Sequence, residues 1–131
     1  MSNTAVVTLA DIAPGQTFTV AINTQSGCTY SVKVLDQANQ VLVDKTAGGV
    51  NWNFTTAVAT APSDASRWPL SLQISGNGGS TLSVLDEVTK LASYNATYIT
   101  SYVVCLDDAG TGSDRDFQDL VVTVNAYRTV G

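Results

Sequence analysis

The chain predicts an all-β fold, a single-domain antiparallel β-sandwich of about nine strands with Greek-key connections, with a closed barrel as the second choice. Three observations carry that reading. Apolar and polar residues alternate in short runs, turn-forming residues punctuate those runs at roughly 8- to 12-residue spacing, and Val, Thr, Ser, Ala and Asn recur throughout. The length of 131 residues fits one domain, and a 44% apolar share is enough for one core. No repeat of 20 to 50 residues suggests a solenoid or propeller.

The strands follow in order. Residues 5–9, 18–22 and 30–34 alternate with the two-residue period of half-buried strands. Pro14-Gly15-Gln16 and Thr24-Gln25-Ser26-Gly27 separate them as turns, and Asp36-Gln37-Ala38-Asn39 precedes a strand at 41–43. Residues 52–58 and 70–74 continue the pattern across a polar stretch holding Pro62, Ser63, Asp64 and Ser66. Gly76-Asn77-Gly78-Gly79 reads as a hairpin turn. The stretch 82–92 is ambiguous, because Leu85, Val88 and Leu91 have helical spacing while Leu82-Ser83-Val84 alternates; it reads as a strand followed by an irregular turn. Strands at 98–106 and 120–126 close the count, the last Val-rich enough for the middle of a sheet. Trp52 and Trp68, in or beside strands, read as core residues.

Composition excludes several functions. A net charge of −5 argues against nucleic acid as a partner, since a phosphate-backbone binder needs clustered Lys and Arg. No run approaches the roughly 18 apolar residues of a membrane-spanning helix, so membrane insertion is not expected. The start, Met1-Ser2-Asn3-Thr4, lacks the basic region of a classical signal peptide, which suggests cytoplasmic synthesis followed by release or display at the cell surface. With no histidine, a thiolate zinc site and the Ser-His and Cys-His catalytic schemes have nothing to use. Cys28 and Cys105 read as two buried thiols, with a bridge between them as the alternative.

The chemistry concentrates in one loop. Of eleven acidic residues, five (Asp107, Asp108, Asp114, Asp116 and Asp119) fall within the thirteen positions 107–119. Carboxylates held a few ångströms apart repel by about 1 kcal/mol per pair in water and more when partly buried, so a folded loop of this kind calls for a cation. Oxygen donors alone suit a hard ion, and several flexible carboxylates favour calcium over octahedral magnesium. The loop is not an EF-hand, because it lacks the Gly at the sixth position and the Glu at the twelfth, and no helices flank it. A solvated, Asp- and Gly-rich turn is the alternative.

From Asp107 onward the order is Gly110-Thr111, then Asp114-Arg115-Asp116-Phe117-Gln118-Asp119, the Val-rich run 120–124, Asn125 and finally Gly131. This resembles the calcium-dependent fucose- and mannose-binding bacterial lectins of the LecB type. Val7-Thr8-Leu9 and Ala21-Ile22-Asn23 resemble that family's first hairpin more loosely. The resemblance implies one or two calcium ions held by Asn23, Asp107, Asp114, Asp116, Gln118 and Asp119, with sugar hydroxyls completing the ions' coordination. It also implies a mono- or oligosaccharide ligand facing Asn23, Thr24, Gln25, Ser26, Asp114 and Asp116. A homodimer or homotetramer would follow if the carboxylate of Gly131 reached a partner's site. The chain departs from the family pattern in five places: Asp107 replaces Glu, Gln118 replaces Asn, Arg115 adds a positive charge, and the 107–114 segment and the tail are both longer.

Two functional readings stay open. One is a non-enzymatic lectin in which loop-bound calcium grips the sugar; the other is a structural or adhesion module whose calcium only stiffens the loop, or whose metal has been lost. Asp114 and Asp116 would be the candidate pair for glycosidase chemistry, but such acids usually sit across a cleft rather than in one loop.

Overall fold

The computed structural model describes residues 4–76, 82–107 and 119–128. Seven antiparallel strands account for most of them: β1 (Thr4–Leu9), β2 (Thr17–Leu35), β3 (Val41–Thr60), β4 (Leu70–Gly76), β5 (Ser83–Ser93), β6 (Ala96–Asp107) and β7 (Leu120–Tyr127). A 3-10 turn, Ala65–Arg67, precedes β4. The sheet order is β1-β4-β2-β7-β6-β5, with β3 added along the other edge of β2.

Seven strands rather than nine result because two pairs of expected strands are continuous. β2 runs through both 18–22 and 30–34, and β3 through both 41–43 and 52–58. The expected turn at 24–27 is a bulged bend inside β2. Register moves from Thr24 opposite Asn53, to Ser26 opposite Gly49, to Thr29 opposite Gly48, so each strand takes up extra residues in turn. β3 accommodates this with Asn51 and Trp52 at φ of 72° and 56° and Gly49 at 98°. A β-carbon on Gly48 would meet the Cys28 carbonyl oxygen at 2.9 Å, so glycine permits the close approach.

The bend gives β2 different neighbours along its length. Its first half lies between β3 and β7, its second between β3 and β4, and the nearly closed sheet wraps one core. Phe18, Val20 and Ile22 from the first half meet Val32 and Val34 from the second, with Leu70, Leu72 and Ile74 of β4 and Val122 and Val124 of β7. Removing one of these aliphatic side chains, as in Leu72→Ala, costs about 2–5 kcal/mol by loss of burial and creation of a cavity.

Residues 82–92 do not turn irregularly. β5 continues to Ser93 and joins β6 through Tyr94 and Asn95, both at positive φ, the geometry of a two-residue hairpin. The expected turn at 36–39 is present: Asp36 Oδ1 accepts from the N–H groups of Ala38 (2.8 Å) and Gln40 (3.0 Å), and its Oδ2 accepts from Arg67 Nε at 2.6 Å.

Both tryptophans depart from the expected core placement. Trp52 is 56% exposed and Trp68 41%. In β3 the reason is register. Phe18, Val20 and Ile22, which fill the core, lie opposite Ala59, Ala57 and Thr55. The small residues therefore occupy the inner face, and Phe54 and Val58 are turned out to 62% and 70% exposure. Cys28 and Cys105 are not bridged to each other and are only half-buried, rather than fully buried; burial pushes the Cys105 thiol up from its usual value.

Candidate functional site

The site is built at the end of the sheet where the first half of β2 stops, β6 ends and β7 begins. Thr24 of β2 pairs with Leu120 of β7, and Leu120 with Leu106 of β6. One position further along, the same registers align Gln25, Asp119 and Asp107, and β6 pairs Asp107 with Ser83 of β5. A backbone bond fixes the first step of this row, the Gln25 N–H donating to the Asp119 carbonyl at 3.0 Å. Adjacent strands lie about 4.8 Å apart, so Gln25 and Asp107 are separated by about 10 Å with Asp119 between them. Asp107 and Asp119 bound the segment 108–118 that carries the remaining acids.

Alternation along β2 divides the expected sugar-facing residues. Asn23 and Gln25 are half-exposed, on the outward side with Thr19 and Ala21; Thr24 and Ser26 follow Phe18, Val20 and Ile22 inward and are buried. The Ser26 hydroxyl accepts from the Cys28 N–H at 3.0 Å and from the Tyr30 phenol at 3.2 Å. Thr24 differs, for its Oγ1 is buried without a hydrogen-bond partner. Such an atom forgoes about 1–3 kcal/mol of solvation unless a ligand supplies the missing bond.

Asp107 is fully buried and Asp119 half-buried. Asp114, Asp116, Gln118 and Gly131 lie outside the described residues. Among the described residues no three His, Cys, Asp or Glu side chains gather as a metal cluster. The donors that the registers bring to the outward side of this sheet end are the Asp107 and Asp119 carboxylates and the amides of Asn23 and Gln25, while the Thr24 hydroxyl faces inward. All are oxygen donors, which fits a hard cation such as calcium and does not fit zinc or copper.

Trp52 is a site-adjacent residue that the alternation pattern misassigned. Its backbone N–H donates to Gln25 Oε1 at 3.0 Å, so the β3 bend is tied to the β2 residue nearest Asp119. The flanking Asn51 and Asn53, both able to adopt turn geometry, were the available signal that this stretch bends.

Three solved bacterial lectins share this architecture. CV2L of Chromobacterium violaceum, in complex with α-methyl-fucoside, is 22% identical, with 100% of this chain and 99% of that one covered and a TM-score of 0.65. The high-affinity mannose-binding lectin of Ralstonia solanacearum is 23% identical over 96% of each chain, with a TM-score of 0.69. The C-terminal domain of the BC2L-C lectin from Burkholderia cenocepacia is 16% identical over 100% of each, with a TM-score of 0.64. The chain has the fold of these lectins. No protein-family model matches it, and no curated protein does. In both longer-covered comparisons the alignment runs essentially end to end, so the sheet end carrying Gln25, Asp119 and Asp107 belongs to the shared fold rather than to an addition on it.

Proposed function

We propose that this chain is a carbohydrate-binding protein of the lectin type, with its sugar site at the sheet end formed by Asn23, Gln25, Asp107, Asp119 and the acidic loop between those two aspartates. The observation that carries the reading is the Gln25–Asp119–Asp107 row. It brings the half-exposed amides of β2 beside both ends of the most acidic segment of the chain, in a fold shared with lectins named for fucoside and mannose ligands.

The side chains suit a neutral polyol. A carboxylate accepts hydrogen bonds, and the amides of Asn23 and Gln25 both donate and accept, so together they match hydroxyls that do both. Bonds to ionised acceptors are the stronger ones. The ligand class is a monosaccharide unit of the fucose or mannose type, free or at the end of a glycan.

Asn23, Asp107, Asp114, Asp116, Gln118 and Asp119 would hold the cation, one or two calcium ions. When bound, calcium supplies the positive charge that offsets the carboxylates and open coordination positions for sugar hydroxyls. The protein's own part is to hold these oxygens in place: the β2–β7 ladder and the Gln25–Asp119 bond set the spacing at the mouth of the loop. Binding without catalysis is the reading that the fold shared with these lectins supports.

Self-association is part of the proposal. Among the described residues β3 pairs only with β2, leaving its far edge open, and Trp52, Phe54 and Val58 lie exposed along it. Residues 46–63 carry no charge in a chain of net −5, so two copies can meet there without like-charge repulsion.

Asp116→Ala tests the site. The variant is expected to retain the wild-type far-ultraviolet spectrum and melting temperature to within a few degrees while losing measurable binding to fucose and mannose in calorimetry. Undiminished binding would remove the acidic loop from the site.

A further inference from the structure

The opposite end of the sheet holds a second feature. Between the turn after β1 and the 3-10 turn before β4 lies an open groove of about 400 Å³, lined by Ala10, Asp11, Ala13, Pro14, Ala65 and Trp68. It sits near the start of β2, where the Gln16 carbonyl accepts from the Ala61 N–H. The acidic site lies at the other end of that half-strand, about 23 Å away along β2 at the usual rise per residue. The groove shares no residue with it.

Trp68 forms one wall and is fixed there. Its indole Nε1–H donates to the Ile12 carbonyl at 2.7 Å, so the only polar atom of the ring is satisfied within the protein. What remains for a ligand is the flat aromatic surface, already immobilised and therefore costing little entropy to use. Ala10, Ala13 and Ala65 are too small to cover it.

Asp11 supplies the polar side. Its N–H donates to the Tyr102 phenol oxygen at 2.8 Å, the phenol donates back to Asp11 Oδ2 at 3.3 Å, and Lys90 Nζ lies 3.0 Å from Oδ1. Burial raises the Tyr102 phenol above its usual value, which keeps it a donor at neutral pH. A carboxylate offers about four acceptor positions, and these contacts use two. Lys90 offsets the charge of Asp11, so the groove does not select for an ion.

We propose that this groove is a second, metal-independent carbohydrate site. It takes the apolar face of a β-linked pyranose on Trp68 while Asp11 accepts hydrogen bonds from the sugar's hydroxyls. Its volume of about 400 Å³ falls within the roughly 300–1,000 Å³ of small-molecule sites. Stereochemistry defines the class. A β-gluco- or β-galactopyranoside presents three axial hydrogens on one unbroken face, whereas an α-mannoside has an axial oxygen on each face and cannot lie flat on the ring. The two sites would therefore prefer different sugars, and this inference stands independently of the acidic site.

The test uses the whole ¹⁵N-labelled chain with chelator present, so that a calcium-dependent site is silent. Methyl β-D-galactopyranoside is titrated while the Trp68 and Trp52 indole N–H resonances are followed. The expected result is a saturating shift of Trp68 with a Kd of about millimolar, an unmoved Trp52, and no saturating shift with methyl α-D-mannopyranoside. Trp68→Ala loses the anchor to Ile12 and is a poor control. Ala65→Leu fills the groove and leaves Trp68 and Asp11 in place; it is expected to weaken binding at least about tenfold with an otherwise unchanged spectrum. An unmoved Trp68, an equal response to the α-mannoside, or full binding by Ala65→Leu would each overturn the proposal.

Discussion

At the scale of single residues, two buried polar side chains, Thr24 within β2 and Asp36 just after it, behave in opposite ways. Thr24 has no partner for its hydroxyl. Thr24→Val keeps the shape and removes the orphan, so the ligand-free protein is expected to gain about 1 kcal/mol in urea unfolding. If ligand supplies the missing bond, the same variant binds sugar more weakly. A stability loss would show that the hydroxyl is already satisfied. Asp36 is the satisfied counterpart. Burial alone would raise its carboxyl, but the Gln40 N–H, the Arg67 guanidinium and the Ala38 N–H together hold it below its ordinary value of 3.8. A depressed carboxyl contributes stability above its unfolded value and loses it as pH falls through the folded one. Asp36→Asn is therefore expected to lower the urea midpoint at pH 7, and the gap from wild type to narrow as pH falls below about 4. A gap independent of pH would mean that the charge of Asp36 is not what matters.

At the scale of elements, the sequence and the structure part company where a strand bends. Alternation in 18–22 and 30–34 was legible because each run has a clean period of two, and the Asp36 turn because Asp and Asn favour that geometry. Thr24-Gln25-Ser26-Gly27 looks like the same kind of turn, yet pairing with β3 continues through it as a bulge. Local composition does not distinguish a chain reversal from a bend; the partner strand decides, and it lies more than twenty residues away. The inner face of 52–60 was illegible for a related reason. Trp52, Phe54 and Val58 share one side and Thr55, Ala57 and Ala59 the other, and hydrophobicity alone assigns the larger set to the core. Space in the core is already filled from β2, so the smaller set goes in. The exposed set then marks the β3 edge as a contact surface. Phe54→Glu is expected to shift the protein to a monomer in sedimentation or light scattering while leaving its melting temperature within a few degrees of wild type. An unchanged assembly, or a monomeric wild-type protein, would contradict a β3 interface.

At the scale of the whole molecule, a nearly closed sheet serves as a frame with the proposed sugar site at one end and a groove at the other. The acidic loop stood out in the sequence because charge clustering needs no knowledge of the fold. The row formed with Gln25 did not, since it depends on which strands become neighbours: β2, β7 and β6 meet there from positions 25, 119 and 107. The Trp68 groove was illegible too, because its walls come from residues 10–14 and 65–68, and Asp11 owes its orientation to Tyr102 and Lys90. The central claim concerns the first of these ends. It is tested most directly by screening the purified protein on a glycan array twice, once with calcium at about millimolar concentration and once with chelator. The account predicts binding to fucosylated or mannosylated glycans that disappears with chelator; an array without such binding in calcium, or with binding that chelator leaves intact, would contradict it.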